Sequence, residues 1–358
     1  MTTHAPREET AREPEPEEEV NAVDTSAAPS LGQRFFNVRT LLSFGLGFAI
    51  LAFLFTRVQI DVAGILERVR QANPWLLVVA LVVFYTTFPI RALRWRRLLD
   101  NVEDTTHEEG SRRLGIPGLT EIMFLAWFAN CIVPAKLGDV YRGYLLKLNV
   151  GVSFSTTIGT ILAERIIDVV ILFLLMLGAT FLSFGQAVPG EVLGIMQGGL
   201  GLVVVVVIGV VTMRRLRPII ERLLPERLHE QYARFEHGTL NSFRGLPLIV
   251  ALSILAWGAE VARLYLVTLS LGLNGIAESV LVFVALAAAL MTTLPLTPAG
   301  LGFAEGAIVG VFLLAANAGL APGVDEHAAA SIALLDRGIS YWSLIAVGCV
   351  VYPLSRRK

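Results

Sequence analysis

The sequence predicts an all-α polytopic integral membrane protein of about eight transmembrane helices, six clear spans plus two broken or re-entrant helix pairs, arranged as an inverted internal repeat. Three observations predict it. Of the 358 residues 54% are apolar and only 16% are charged, with a mean hydropathy of +0.66, more apolar surface than a soluble fold can hide. Runs of roughly 20 apolar residues, the length that crosses a hydrocarbon core of about 30 Å, recur from Leu41 to Tyr352. The charged residues and chain breaks inside these runs fall into two sets with the same order.

The first thirty residues are of another kind, with eight acidic residues, two arginines, four prolines and few large apolar side chains. Such a composition cannot offset the entropy of ordering, so residues 1–33 are expected to be a disordered acidic cytoplasmic tail. No short apolar core marks a cleavable signal peptide. The membrane domain then covers 34–358, with 27 Lys and Arg against 22 Asp and Glu.

Its clear spans are 41–57, 75–93, 154–182, 192–213, 247–270 and 328–353. Two further regions carry helix breaks, 119–150 at Pro134 and Gly138, and 277–316 at Pro295, Pro298, Gly300 and Gly302. Segment 136–150 also holds Lys136, Asp139, Arg142 and Lys147, too polar for lipid, which favours a re-entrant pair there. For 277–316 both arms are long enough to cross, so two spans or a re-entrant pair fit. Arginines crowd the segment after the second span, the linker 214–246 and the C-terminus, whereas 183–191, 271–276 and 317–327 contain no Lys or Arg. Positive charge stays inside, so both termini are expected in the cytoplasm of a cell-membrane protein.

Repeat A covers about 75–182 and repeat B about 247–353. Arg91 and Arg94 correspond to Glu260 and Arg263, Pro134 and Gly138 to Pro298 and Gly302, and Glu164-Arg165 to Asp336-Arg337. Asp168 corresponds to Ser340. Because the first copy begins outside and the second inside, the repeat would be inverted, with broken helices meeting near the midplane. Charges at that depth cost roughly 2.5–3.5 kcal/mol each on insertion scales, so they face the interior and pair. Glu164, Arg165, Asp168, Asp336 and Arg337 are therefore either ion-pair latches or the polar wall of a cavity. Asp139 and Arg142 share a helix face, and Lys136 with Arg142 could hold a phosphate at a helix start. Arg91, Arg94 and Arg97 form a stripe beside Trp95 that suits interfacial anchoring as well as ligand binding. Glu260 and Arg263 lie deeper in their span, and Glu305 follows the glycine-rich break by one turn.

Little points to catalysis. Cys131 and Cys349 sit in apolar runs as core cysteines, and His4, His107, His229, His237 and His327 lack ligand spacing. No phosphate-binding loop, nucleophile elbow or zinc-protease motif occurs. Neither a cofactor nor a metal nor a nucleic-acid partner is expected.

Several motifs occur together: Arg94-Trp95 with Leu98-Leu99; Asn130, Pro134, Gly138, Asp139 and Arg142; Ala163-Glu164-Arg165 with Asp168; and Thr297-Pro298-Ala299-Gly300-Leu301-Gly302-Phe303 followed by Glu305-Gly306. In this order and spacing, over about 35–355, the chain resembles the lysylphosphatidylglycerol synthase transmembrane family. It departs at Ala299, where the family often has the first of two glycines. The resemblance implies a flippase-like membrane domain, and without a soluble aminoacyl-transfer domain the chain is not expected to make lysylphosphatidylglycerol by itself. The resulting expectation is a translocase for a phospholipid or an aminoacyl-, glycosyl- or polyprenyl-phosphate lipid, not an enzyme. Its alternatives are a scaffold for a synthase or glycosyltransferase and an intramembrane enzyme using Asp139 or Glu164 as acid or base. Proposed headgroup residues are Arg94, Asn130, Lys136, Asp139, Arg142, Glu164, Arg165, Asp168, Glu260, Arg263, Thr297, Glu305, Asp336 and Arg337.

The orientation has a direct check. Topology reporters fused at residues 185 and 274 are expected to read as external, and a cytoplasmic signal from either overturns the inverted arrangement.

Overall fold

A computed structural model describes residues 38–57, 62–102, 110–133, 135–184, 188, 190–293 and 296–357. The tail 1–33, His4, His107 and the break residues Pro134 and Pro295 lie outside the described residues. Within them the chain is an all-α polytopic membrane protein. Seven helices are long and apolar enough to cross a membrane, and Thr40–Leu54 and Glu278–Thr293 are shorter apolar helices.

The elements follow the apolar runs. Helix α1 is Val38–Arg57, α2 the short amphipathic Val62–Gln71, and α3 Pro74–Asp100. Asn73 starts α3 by accepting from the Trp75 amide at 3.0 Å, with Pro74 in the first turn where its missing N–H costs nothing. Helix α4, Gly110–Ile132, is interrupted at Gly115, and α5 is Leu137–Val150. Then come α6 (Phe154–Phe184), α7 (Gly190–Leu223), α8 (His229–Asn241) and α9 (Leu246–Ser270). Helix α10 (Glu278–Thr293) and α11 (Phe303–Asn317) flank the second break. Asp325 caps α12 (Glu326–Arg337) by accepting from the Ala328 amide at 2.7 Å, and a π-turn over Gly338–Trp342 joins α12 to α13 (Ser343–Leu354).

Helix α3 packs along α9 at the centre, with α4 and α5 on one side and α10 and α11 on the other. Helix α6 lies against α5, α10 and α8, while α12 packs on α11 and α13 on α4. The core is aromatic and aliphatic, with Phe84, Phe88, Trp95, Leu98, Phe283, Phe312 and Tyr341 fully enclosed or nearly so. One feature adds to the sequence reading and one departs from it. The linker 214–246 is largely helical, because α7 runs on to Leu223 and α8 docks on α6. Cys349 is exposed on the outer face of α13, whereas Cys131 is buried.

Both predicted breaks are sharp reversals. At the first, Ala135 and Lys136 take the left-handed conformation at φ 63° and 57° before α5 starts. The α5 helix, 14 residues or roughly 21 Å long, is too short to cross a bilayer core of about 30 Å. At the second, Pro298–Gly300 forms one 3₁₀ turn, with Ala299 at φ 43° and Gly300 at φ 72°. Gly138 is needed for contact between α4 and α5, since a Cβ there would stand 2.0 Å from the Ala126 carbonyl oxygen. Its amide donates to Asn130 Oδ1 at 2.8 Å, tying α5 back to α4.

Substituting Gly138→Ala should therefore force the two helices apart and cost about 1–3 kcal/mol, read as a lower unfolding temperature in detergent. Gly310→Ala, where nothing lies within 4 Å of the added carbon inside α11, is the control and should hold that temperature or raise it slightly.

Candidate functional site: a charged cavity between the two breaks

Helix α3 carries an internal proline, Pro89, and presents Arg91 and Arg94 to the centre of the bundle one turn apart. Both guanidinium groups are buried, at 2% and 1% exposure, while Arg97, about 120° further round the helix, is exposed. The predicted stripe thus splits, and only its first two members enter the interior.

Arg94 reaches α6. Its Nη1 donates to Asp168 Oδ1 at 2.5 Å and to Ser253 Oγ at 2.8 Å, and its Nη2 donates to Asp168 Oδ2 at 3.0 Å and Glu164 Oε1 at 2.8 Å. Arg142 of α5 completes Glu164, donating to Oε2 at 2.7 Å while lying 4.6 Å from the Trp95 ring centre. Arg165 grips Asp139 through two bonds of 3.0 and 2.8 Å, so α5 is held to α6 at two points along one face. In the other half Arg263 grips Asp336 at 2.8 and 3.1 Å and also bonds Glu260. Arg337 donates to Glu305 Oε1 at 2.9 Å and to the Ala299 carbonyl at 3.1 Å. Glu305 in turn accepts from the Gly302 amide at 2.7 Å, fixing the start of α11. Arg91 bridges the halves: its Nη2 donates to Glu260 Oε1 at 3.1 Å, between the rings of Trp127 and Trp257 at 4.7 and 5.3 Å.

These groups surround a cavity of about 520 Å³. Of the predicted site residues, Asn130, Lys136, Asp139, Arg165 and Asp168 line it from the first half, and Glu260, Arg263, Thr297, Asp336 and Arg337 from the second. Arg94, Arg142, Glu164 and Glu305 do not; they stand behind the wall and hold its members in place. Of the breaks, Ala299 reaches the lining, with Val133 and Lys136 from the other side. Arg91, Trp127, Trp257 and Ser340 line the cavity without having been singled out as headgroup residues. Two signals existed: Arg91 precedes Arg94 by one turn after a proline in an apolar helix, and Ser340 sits opposite Asp168 in the repeat alignment.

The remainder of the wall is mostly apolar, with Thr292 and Thr293 as its hydroxyl-bearing members. Val169 and Leu172 of α6, Leu202 of α7 and Ala285, Ala288 and Ala289 of α10 belong to it. Val169, Leu172 and Leu202 also line a narrow apolar crevice between α6, α7 and α10, and Leu202 is 39% exposed on the outer surface. Among the described residues no group of three or more His, Cys, Asp or Glu side chains could hold a metal ion.

Removing one partner from such a network leaves uncompensated buried charge. Arg94→Gln, which leaves Glu164 to Arg142 alone and Asp168 with only Arg165 at 3.8 Å, should cost about 3–5 kcal/mol in thermal or denaturant unfolding. Arg97→Gln, on the exposed side of the same helix, should change stability by less than about 0.5 kcal/mol.

Known proteins are similar to this chain in sequence. UPF0104 membrane protein MJ1078 of Methanocaldococcus jannaschii is 35% identical over 236 residues, 64% of this chain and 95% of that protein. A UPF0104 membrane protein of Methanothermobacter thermautotrophicus is 27% identical over 328 residues, 84% of this chain and 90% of its own. Glycosyltransferase AglD of Haloferax volcanii is 26% identical over 341 residues, covering 84% of this chain but 52% of that protein. No solved structure matches. The family described as the lysylphosphatidylglycerol synthase TM region matches residues 41–348, and the chain belongs to that family.

Proposed function

We propose that the protein is a lipid translocase, a carrier and not an enzyme, that moves a phospholipid or a lipid-linked aminoacyl-, glycosyl- or polyprenyl-phosphate substrate between leaflets of the cell membrane. The observation that carries this reading is a single cavity with two kinds of wall. One side is charged, and the other is apolar and continues into the crevice between α6, α7 and α10. A headgroup fits the first and a hydrocarbon chain the second, which a water-soluble solute would not need. Backbone breaks that border the cavity are tolerated at membrane depth for the same reason. The matching ion pairs of 75–182 and 247–353 support two inverted repeats whose rocking would expose the cavity to each leaflet in turn. In that arrangement Arg91–Glu260, the pair joining the halves, must open or shift.

A second reading is that the domain serves a glycosyltransferase as a membrane partner. It is favoured by the Haloferax volcanii relative, which bears that name and of which about half lies outside the match. It predicts retention of a glycosyltransferase on the purified chain, with no leaflet movement by the chain alone.

Reconstitution separates the two. Liposomes holding the protein should equilibrate a fluorescent phospholipid or polyprenyl-phosphate between leaflets faster than empty liposomes, and Glu260→Gln should slow this about tenfold. Leaflet distributions identical to empty liposomes for every probe overturn the translocase reading.

A further inference from the structure

We propose that the cavity selects a headgroup with one net negative charge, a phosphodiester bearing hydroxyls and no amine, and that Lys136 is the residue that contacts its phosphate. The proposal deepens the translocase reading and rests on it for the consequence for transport, though not for binding.

The first argument is charge. The cavity and its backing hold seven cations, Arg91, Arg94, Lys136, Arg142, Arg165, Arg263 and Arg337, against six carboxylates, Asp139, Glu164, Asp168, Glu260, Glu305 and Asp336. Every one of these arginines is within 4 Å of a carboxylate, whereas among the described residues Lys136 has none that close. It sits on the left-handed turn between α4 and α5 and lines the cavity. A surplus charge of one in a poorly solvated site calls for a monoanion.

The second argument is which hydrogen-bonding groups are spare. Both oxygens of Asp139, Asp168, Glu260 and Asp336, the carboxylates that line the cavity, already accept from arginines. An ammonium group entering the cavity would have to share carboxylate oxygens already engaged by guanidinium groups, and it would add a second positive charge to a site that already holds one in excess. Donors, by contrast, are left over. Arg91 Nε, Trp257 Nε1, Thr297 Oγ1 and Ser340 Oγ are buried with no hydrogen-bond partner among the described residues, and all four residues line the cavity. The first two can only donate, and the hydroxyls can donate or accept. Unsatisfied buried donors are costly, and an oxygen-rich ligand relieves them. Ester and hydroxyl oxygens meet that need, and a phosphate oxygen meets Lys136.

The third argument is separation. Lys136 lies on the first break and Thr297 immediately before the second, with Ser340 on the π-turn after α12. A ligand that contacts them all touches both halves, as a carried headgroup must.

Binding is tested with the full chain in phosphatidylcholine nanodiscs doped with phosphatidylglycerol, phosphatidic acid, phosphatidylethanolamine or lysyl-phosphatidylglycerol, the retained lipid being read by native mass spectrometry. Phosphatidylglycerol should be retained about tenfold or more over phosphatidylethanolamine, with lysyl-phosphatidylglycerol excluded. Lys136→Gln should abolish that preference and Lys136→Arg keep it, with unfolding temperatures unchanged because Lys136 holds no carboxylate. Ser340→Ala should weaken retention of phosphatidylglycerol but not of phosphatidic acid, which lacks headgroup hydroxyls. Equal or better retention of either amine-bearing lipid, or a preference that survives Lys136→Gln, overturns the proposal. The leaflet assay distinguishes the two readings. Movement of lipids with no preference for the hydroxylated anion overturns this assignment and leaves the translocase standing, whereas selective retention without movement supports it and removes the translocase.

Discussion

Charge neutralisation inside a low-dielectric bundle is the constraint from which the rest of the architecture follows. A guanidinium or carboxylate taken from water into such a site costs several kcal/mol, recovered only when partners are close and well oriented. The geometry here meets that condition by shared and bidentate bonds. Glu164 is divided between Arg94 and Arg142, Arg94 divides itself between Glu164 and Asp168, and Arg165 and Arg263 each grip one carboxylate with two donors. Once these pairs are fixed, the positions of α3, α5 and α6, and of α9 and α12, are fixed relative to one another. The aromatic rings stacked on the guanidinium faces fill the space the pairs leave.

The two halves solve this problem in the same way. Arg94 with Glu164 is matched by Arg263 with Asp336, and Arg165 with Asp139 by Arg337 with Glu305. In each half an arginine of the first helix binds an acid of the last, and the next residue along, an arginine, binds an acid on the helix that follows the break. The halves also differ. Arg142 gives the first half an extra cation on Glu164, and Asp168 of the first half is Ser340 in the second. Within the cavity network, Arg91–Glu260 is the ion pair that crosses from one half to the other among the described residues.

Much of this was legible in the sequence, because span length, helix breaks and intramembrane charge are each set by the bilayer and not by the particular packing. Five of the six clear spans, the breaks near Gly138 and Pro298, and the acids and arginines at Glu164, Arg165, Asp336 and Arg337 could all be read that way, whereas the span expected at 41–57 holds only the shorter apolar helix Thr40–Leu54. Which charges face the cavity and which stand behind it could not. Arg142 and Glu164 carry the same charges as Lys136 and Asp168, and only the crossing of α5 on α6 decides that the former lock together while the latter reach the void. Arg91 was read with Arg97 as one stripe, since three-residue spacing looks continuous over two steps. A 120° drift separates its ends, and burial falls on one side only. Trp127 and Trp257 gave no signal, as tryptophan in a membrane helix reads first as an interfacial residue.

The helix breaks and the charges depend on each other. A reversal within the bilayer frees backbone N–H and C=O groups, which lipid cannot satisfy. Here the polar network satisfies them: Asn130 accepts from the Gly138 amide, Glu305 from the Gly302 amide, and Arg337 donates to the Ala299 carbonyl. Asn130 and Glu305 are themselves held by Asp139 and Arg337, the former through a long contact of 3.5 Å. Replacing the network by apolar residues would remove the charge-burial cost, yet it would leave both breaks unsatisfied, and straightening the helices would close the cavity. Conversely, helices without breaks would have no reason to keep so many charges. The breaks and the charges therefore stand or fall together, and Lys136, which neutralises no carboxylate and lies on a break, is the member of the set that structural need alone does not explain.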